Sequence, residues 1–301
     1  MPERRPTFDL QSHSTYSDGT LSPAEVVARA SAAGVELLAL TDHDTVDGVA
    51  EALEAAHATG GATRVVPAAE LSSIDGDYED LHILGYGLDH TDPELLGTLE
   101  RFRADRGVRA DRMADALEEA GLQLDRAPLD ARRAAGLPVG RPHLAQAAFG
   151  HPANAARIER EGLADFGKLL EAYLIPGAPA YRRRTTPTVA EAIDAIHAAG
   201  GVAVWAHPFW DVEAPQDVVD AIARFAAMGL DGVEAFYITH TREETEVAVR
   251  ACTDLGLLTT GSADFHGPDH PRFHAFRAFD LHGLQPQLGA IGAATPRPPG
   301  S

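Results

Sequence analysis

The stretch Thr7-Phe8-Asp9-Leu10-Gln11-Ser12-His13-Ser14-Thr15-Tyr16-Ser17-Asp18-Gly19-Thr20 opens on a short apolar run and turns polar within a few residues. Read as a strand over residues 8–14, it sends Gln11 and His13 to one side, because residues two apart on a strand share a face. Asp18 comes just beyond, and a helix is predicted from Ser22. The same alternation runs outward along the chain: strands over 35–40, 64–71 and 81–88 with a helix from about Asp47, then a helix over 189–199, a strand over 202–205, a helix over 218–228, a strand over 232–237, a helix from Thr241 and a strand over 257–261. Seven short apolar runs punctuated by helical patterns predict an α/β fold with a parallel β/α barrel. Between about Asp92 and Tyr181 the pattern changes to amphipathic helices rich in Ala, Arg and Leu, broken at Gly121, Pro128, Pro138 and Pro152. The expected organisation is therefore a barrel over residues 1–91 and 182–292, a helical insertion subdomain over 92–181, and a Pro/Gly-rich tail over 293–301 expected to be disordered.

In parallel α/β folds, active-site groups gather at the C-terminal ends of strands. Here nearly every apolar run ends in an imidazole or a carboxylate. Asp42, His43 and Asp44 follow the second run, Glu70 ends the third, and His82 lies near the start of the fourth. His207 follows the fifth, Tyr237 and His240 the sixth, and Asp264 and His266 the seventh, where their spacing repeats that of Gln11 and His13. A single buried histidine is ordinarily a satisfied hydrogen-bonding residue. So many on one rim would be costly to bury without a common partner, which points to metal binding.

Composition limits what kind of site this can be. The chain has 301 residues, 45% of them hydrophobic, and a formal net charge of −20. Its one cysteine, Cys252, excludes an internal disulfide and a thiolate cluster, so any metal must use nitrogen and oxygen ligands. Imidazole with carboxylate suits Mn, Fe or Zn, whereas Mg favours oxygen, and so many ligands imply more than one ion. The acidic balance opposes binding to long nucleic acid while leaving room for a small anionic partner. No apolar run reaches the roughly 20 residues of a membrane span, and no signal-peptide pattern is present, so a cytoplasmic location is the default and no membrane partner is expected. The oligomeric state stays open.

Other polar residues fall into groups. Asp42 and Asp44 flank His43 and are expected to orient it, because a ligating imidazole usually donates its other N–H to an acceptor. His57, His90, His151, His197, His270, His274 and His282 lie in helical patterns, loops or the tail and are read as structural or surface residues. Arg101, Arg106, Arg109 and Arg112 alternate with acidic residues and are expected on an exposed helix face.

The motifs Asp9-Leu10-Gln11-Ser12-His13-Ser14, Ser17-Asp18-Gly19-Thr20, Thr41-Asp42-His43-Asp44-Thr45, Ala206-His207-Pro208 and Gly261-Ser262-Ala263-Asp264-Phe265-His266-Gly267, taken in this order, resemble the PHP (polymerase and histidinol phosphatase) family. The central helical insertion is similar to its small nucleotide-phosphatase branch. The resemblance implies a distorted seven-stranded barrel with two or three divalent metal ions. It implies that Gln11, His13, Glu70 and Asp264 surround one ion, that Glu70 bridges to a second held by His82 and His207, and that Asp18, His43 and His266 hold a third. Gln11 departs from the pattern, which usually has His there. A neutral amide oxygen is a poorer ligand, so this position would be weaker or would select a harder cation such as Mg.

By the same resemblance the chain is expected to be a metal-dependent phosphoric ester hydrolase, a phosphomonoesterase acting through a metal-bound hydroxide on a small nucleotide such as AMP or a nucleoside 3′,5′-bisphosphate. Arg141, His143 and Arg184 are the expected binders of phosphoryl oxygens, with Arg141 and Asp264 counted as catalytic. Tyr237 and His240 are expected at the substrate, His240 as general acid or phosphate binder. The insertion is expected to form a substrate lid. The competing readings are a 5′-3′ exonuclease on short RNA or DNA oligonucleotides, a histidinol-phosphate phosphatase, and a catalytically weak metal-binding regulatory module.

Overall fold

The computed structural model describes residues 6–293 apart from 59, 77, 138, 184 and 185. Of the expected tail, residues 294–301 lie outside the described residues, as does Arg184. Two compact units divide the chain: Met1–Leu99 together with Pro187–Ser301, and Glu100–Thr186.

The first unit is a β/α barrel. Its strands are β1 (Phe8–Asp9), β2 (Leu37–Leu40), β3 (Arg64–Asp75), β4 (Tyr78–Tyr86), β5 (Val202–Trp205), β6 (Gly232–Tyr237) and β7 (Leu258–Ser262), hydrogen-bonded in sequence order as one seven-stranded sheet. The ends of the sheet meet, since the Leu10 N–H donates to the Gly261 carbonyl at 3.2 Å and the His13 N–H to the Phe265 carbonyl at 2.8 Å. Strand alternation sorts the apolar residues. Leu37 and Ala39 of β2 join Leu10, Ala68, Leu84 and Val204 in one buried cluster, while Leu38 and Leu40 pack with Val26, Val27 and Ala52. Those last three belong to the helices α1 (Pro23–Ala32) and α2 (Val49–Ala58). Ser22 and Glu25 form a reciprocal capping box that starts α1, satisfying amide groups the helix would otherwise leave unpaired.

One strand departs from the parallel pattern. β4 runs antiparallel to both β3 and β5. The reason is local: β3 and β4 are joined by a tight turn at Gly76, with φ +57°, and a link this short cannot carry the crossover that parallel strands need. The reversal sets His82, mid-way along β4 and not near its start as the sequence suggests, opposite Ser72 of β3 and so beside Glu70. An antiparallel strand begins at the rim where its parallel neighbours end.

The second unit is helical. It contains most of α3 (Pro93–Glu119), then α4 (Arg126–Ala134), α5 (Arg141–Phe149), α6 (Ala155–Glu161) and α7 (Phe166–Tyr173). Its core is Met113, Leu117, Leu122, Leu144, Leu169 and Leu174 with smaller neighbours. Arg101 and Arg112 are exposed as expected, but Arg109 is buried. Its Nε donates to the Arg182 carbonyl at 2.7 Å and its guanidinium lies over the Tyr181 ring at 5.1 Å, so the helix turns this one arginine inward for a backbone acceptor and an aromatic face. The barrel resumes with α8 (Val189–Ala198), α9 (Pro208–Asp211), α10 (Pro215–Ala227), α11 (Arg242–Leu255) and α12 (Gly289–Ala293).

Candidate metal centre

Glu70 is the hub. It lies within the buried run of β3, and its backbone is tied to the loop after β2 by the Asp44 N–H donating to its carbonyl at 2.8 Å. Its carboxylate meets four imidazoles: His82 Nδ1 at 2.9 Å and His207 Nε2 at 3.4 Å on one oxygen, His13 Nε2 at 3.1 Å and His43 Nδ1 at 3.4 Å on the other. Burial alone would raise the Glu70 carboxyl, but the imidazoles around it, His43 and His82 foremost, hold it well below the usual range. His13 also lies 3.1 Å from Asp264, and His266 stacks on its ring at 4.2 Å. Asp18 stands 3.6 Å from each of His13, His43 and His266.

Two groups of ligand atoms are clustered tightly enough for an ion: His13, Asp18, His43 and His266, and His43, Glu70 and His82, each group within 4.8 Å of one another. The chemistry of the set supports the same conclusion. His13 Nε2, His43 Nδ1, Glu70 Oε2 and Asp264 Oδ1 are all buried, face one another and satisfy no hydrogen bond. Buried polar atoms left this way are expensive in a protein interior, and a cation among them would supply the partner they share. The residues fit divalent metal with nitrogen and oxygen ligands.

Backbone strain also concentrates here. Asp44, His207 and Asp264 have φ of +55°, +29° and +54°, a region that L-residues avoid at about 1–3 kcal/mol each. Each lies in the turn that follows a strand, at or next to a candidate ligand. Gly19 is needed for a different reason: a Cβ there would stand 2.3 Å from the His13 carbonyl oxygen.

Gln11 is inside the group, but its amide faces two ways. Its Nε2 donates to Glu70 at 3.1 Å, and its Oε1 accepts from the Ser262 hydroxyl at 3.3 Å.

Comparison with known proteins agrees with this geometry. Residues 9–120 match the PHP domain. The chain is 34% identical over 261 residues to a 5′-3′ exoribonuclease of Haemophilus influenzae, covering 87% of this chain and 90% of that protein. The chain belongs to the PHP family. A second PHP relative, the 3′,5′-nucleoside bisphosphate phosphatase of Chromobacterium violaceum, is 34% identical over 268 residues, 87% of each chain. Among solved structures, an amidohydrolase from Chromobacterium violaceum with bound sulfate and no metal superposes with a TM-score of 0.80 at 30% identity, covering 96% of both chains.

Several supporting residues of this PHP site differ from their sequence expectation. Asp42 is expected to orient His43, but both its oxygens are engaged by the first loop, accepting from Ser14 N at 2.7 Å, Ser14 Oγ at 2.6 Å and Ser17 Oγ at 2.5 Å. Ser17 in turn lies 3.4 Å from His13 Nδ1, so Asp42 positions His13 through it. Asp44 accepts from the Ser72 N–H at 3.0 Å, tying the second loop to β3. Tyr237 donates to Asp264 Oδ2 at 2.8 Å and so fixes that carboxylate. His240 is unsuited to the general-acid role. Burial pushes its pKa down to about 4, and its Nδ1–H donates to the Ala235 carbonyl at 3.1 Å, leaving a neutral ring with a lone pair at Nε2. Arg141 and His143 lie at the start of α5 in the helical unit, where His143 Nδ1 accepts from the Gly140 N–H at 3.1 Å and closes the first turn.

Two residues escape the sequence reading. Glu234, fully buried in β6, accepts from the His207 N–H at 3.0 Å and lies 2.6 Å from Ser262 Oγ; burial raises its pKa to about 8. Its signal is a lone carboxylate inside an apolar strand. His270, read as a loop residue, stands 5.3 Å from the His266 ring and stacks on Phe273 at 4.9 Å, a neighbourhood only the folded loop creates.

Proposed function

We propose that this PHP protein is a metal-dependent phosphoesterase that releases phosphate from a small nucleotide, a nucleoside 3′,5′-bisphosphate or monophosphate. The observation that carries the reading is the ring of imidazoles around the Glu70 carboxylate, in which His13 Nε2, His43 Nδ1 and Glu70 Oε2 are buried without a hydrogen-bond partner. The 3′,5′-nucleoside bisphosphate phosphatase relative supports the substrate class.

In this reading His13, Asp18, His43 and His266 hold one ion and Glu70, His82 and His207 another, with Asp264 and Gln11 completing the set; Mn, Fe or Zn suits the imidazoles, and Mg the Gln11 position. Divalent ions bound there supply Lewis acidity for the phosphoryl oxygens and a nucleophile near neutral pH. The protein's part is positioning. Asp264, its Oδ2 held by Tyr237, presents Oδ1 towards the other candidate ligands, where it would help hold an ion and orient the attacking water. His240, neutral and with its Nδ1–H held by the Ala235 carbonyl, does not donate to the leaving oxygen. Arg141, His143 and Arg184 are assigned to the phosphoryl oxygens, and the helical unit to the role of substrate lid; a R141A rise in KM without loss of bound metal tests that assignment.

The names of the exoribonuclease relatives favour a second reading, removal of nucleotides from the 5′ end of short RNA. Protein purified without chelator, with Mn, Fe, Zn and Mg quantified, is to be assayed for phosphate release from nucleoside bisphosphates and for mononucleotide release from 5′-phosphorylated oligonucleotides. Faster turnover of the bisphosphate, lost in D264A, is the expected result. Preferential turnover of oligonucleotides selects the second reading, and absence of bound metal under every condition overturns both.

A further inference from the structure

Beside the ligands lies a row of aromatic rings that metal binding does not use. Trp210 sits in α9, three residues after His207, and is 47% exposed. Its ring centroid is 6.5 Å from that of His207, 6.4 Å from Tyr237 and 5.9 Å from Phe273. Phe273 lies 5.4 Å from His266. The row therefore adjoins two ligand imidazoles from different strands, β5 and β7. On its outer side the Arg272 guanidinium stands over the Trp210 ring at 5.3 Å.

Trp210 is not part of the buried core. The chain's other tryptophan, Trp205, is fully buried and makes an edge contact with Phe225 at 5.0 Å, which is core packing. Trp210 instead keeps nearly half its surface open at the mouth of a strongly polar site. An exposed indole flanked by a phenyl ring and a planar cation is a surface for a flat aromatic group, since base-on-aromatic stacking and guanidinium contacts tolerate any base.

We infer that Trp210, Phe273 and Arg272 form a stacking shelf that holds the purine or pyrimidine base of a nucleotide whose phosphate reaches the Glu70 centre. The inference rests on the phosphoesterase reading for the position of the phosphate, but it makes a separate claim about the leaving group. The shelf discriminates in favour of nucleosides over bare sugar phosphates by contacts to the base, and it does so without reading base identity, because every base has a stacking face.

The test compares wild type, W210A and W210F on adenosine 3′,5′-bisphosphate and on ribose 5-phosphate, which has no base, with bound metal quantified in each protein. The expected result is a KM for the bisphosphate roughly 5- to 150-fold higher in W210A, little change in kcat, ribose 5-phosphate kinetics and metal content unaltered, and most of the loss restored in W210F. Equal losses on both substrates, or no change on the bisphosphate, overturn the shelf. If wild type turns over neither substrate, the functional reading fails on its own and the shelf is judged by fluorescence. AMP should then quench wild-type tryptophan emission, and W210F, which retains only the buried Trp205, should show no quench. Absence of quenching in wild type, or equal quenching in W210F, overturns the shelf as well.

Discussion

The barrel unit and the helical unit spend their interiors differently. Among the described residues, the barrel buries Asp9, Gln11, His13, Asp42, His43, Asp44, Glu70, His207, Glu234, His240 and Asp264 among its apolar strands, whereas the helical unit buries only Arg109 and Asn154 as polar side chains. Asn154 is provided for locally, accepting from Gln123 N–H at 2.9 Å and donating to the Gln123 and Ala148 carbonyls at 2.7 Å each, and Arg109 Nε donates to the Arg182 carbonyl at 2.7 Å. The barrel's polar atoms are arranged the other way, several facing one another without hydrogen bonds. The contrast shows that one unit is built for stability and the other accepts an energetic cost at the positions where chemistry is concentrated.

Substitutions should separate the two. The largest effect is expected at the hub: E70Q should lower kcat by at least roughly 10²–10³-fold and strip bound metal, read by phosphate release and elemental analysis, while the melting temperature of the chelated protein stays level or rises because a buried charge is gone. A lower melting temperature in chelated E70Q would break the comparison. In the helical unit, L117A should destabilise by about 2–5 kcal/mol in denaturant unfolding and leave metal content unchanged, since it opens a cavity in an aliphatic core. Q11H sharpens the contrast within the barrel. Replacing the amide that now donates to Glu70 with an imidazole should raise metal affinity about ten-fold or more in a chelator competition, and an unchanged affinity would show that Gln11 is already a full ligand. The smallest effect is expected on the surface, where R126A removes a half-exposed pair with Glu118 at 2.9 Å and should cost less than about 1 kcal/mol.

Much of the candidate site was legible because most of its residues stand where an apolar run ends, a position the sequence marks directly. His13, His43, Glu70, His207, Asp264 and His266 all stand where an apolar run gives way to polar residues, and the structure brings them together. Glu234 carries no such mark because it lies within a run, and its role depends on His207 and Ser262, 27 and 28 residues away. His240 could be located, but the general-acid role read for it does not suit its surroundings, because the burial that makes it neutral and the carbonyl that takes its proton are properties of the packed barrel.

The sequence by itself determined the β/α alternation, the helical insertion and the nitrogen and oxygen character of the site, because strand periodicity, helix caps and a single cysteine are local or compositional facts. Tertiary structure alone decided that β4 reverses, that Asp42 serves His13 through Ser17, that Arg109 turns inward, and that Trp210 and Phe273 share a rim with His207 and His266. Each of these depends on which residues distant in sequence become neighbours, and closure of the barrel between β1 and β7 is what sets those distances.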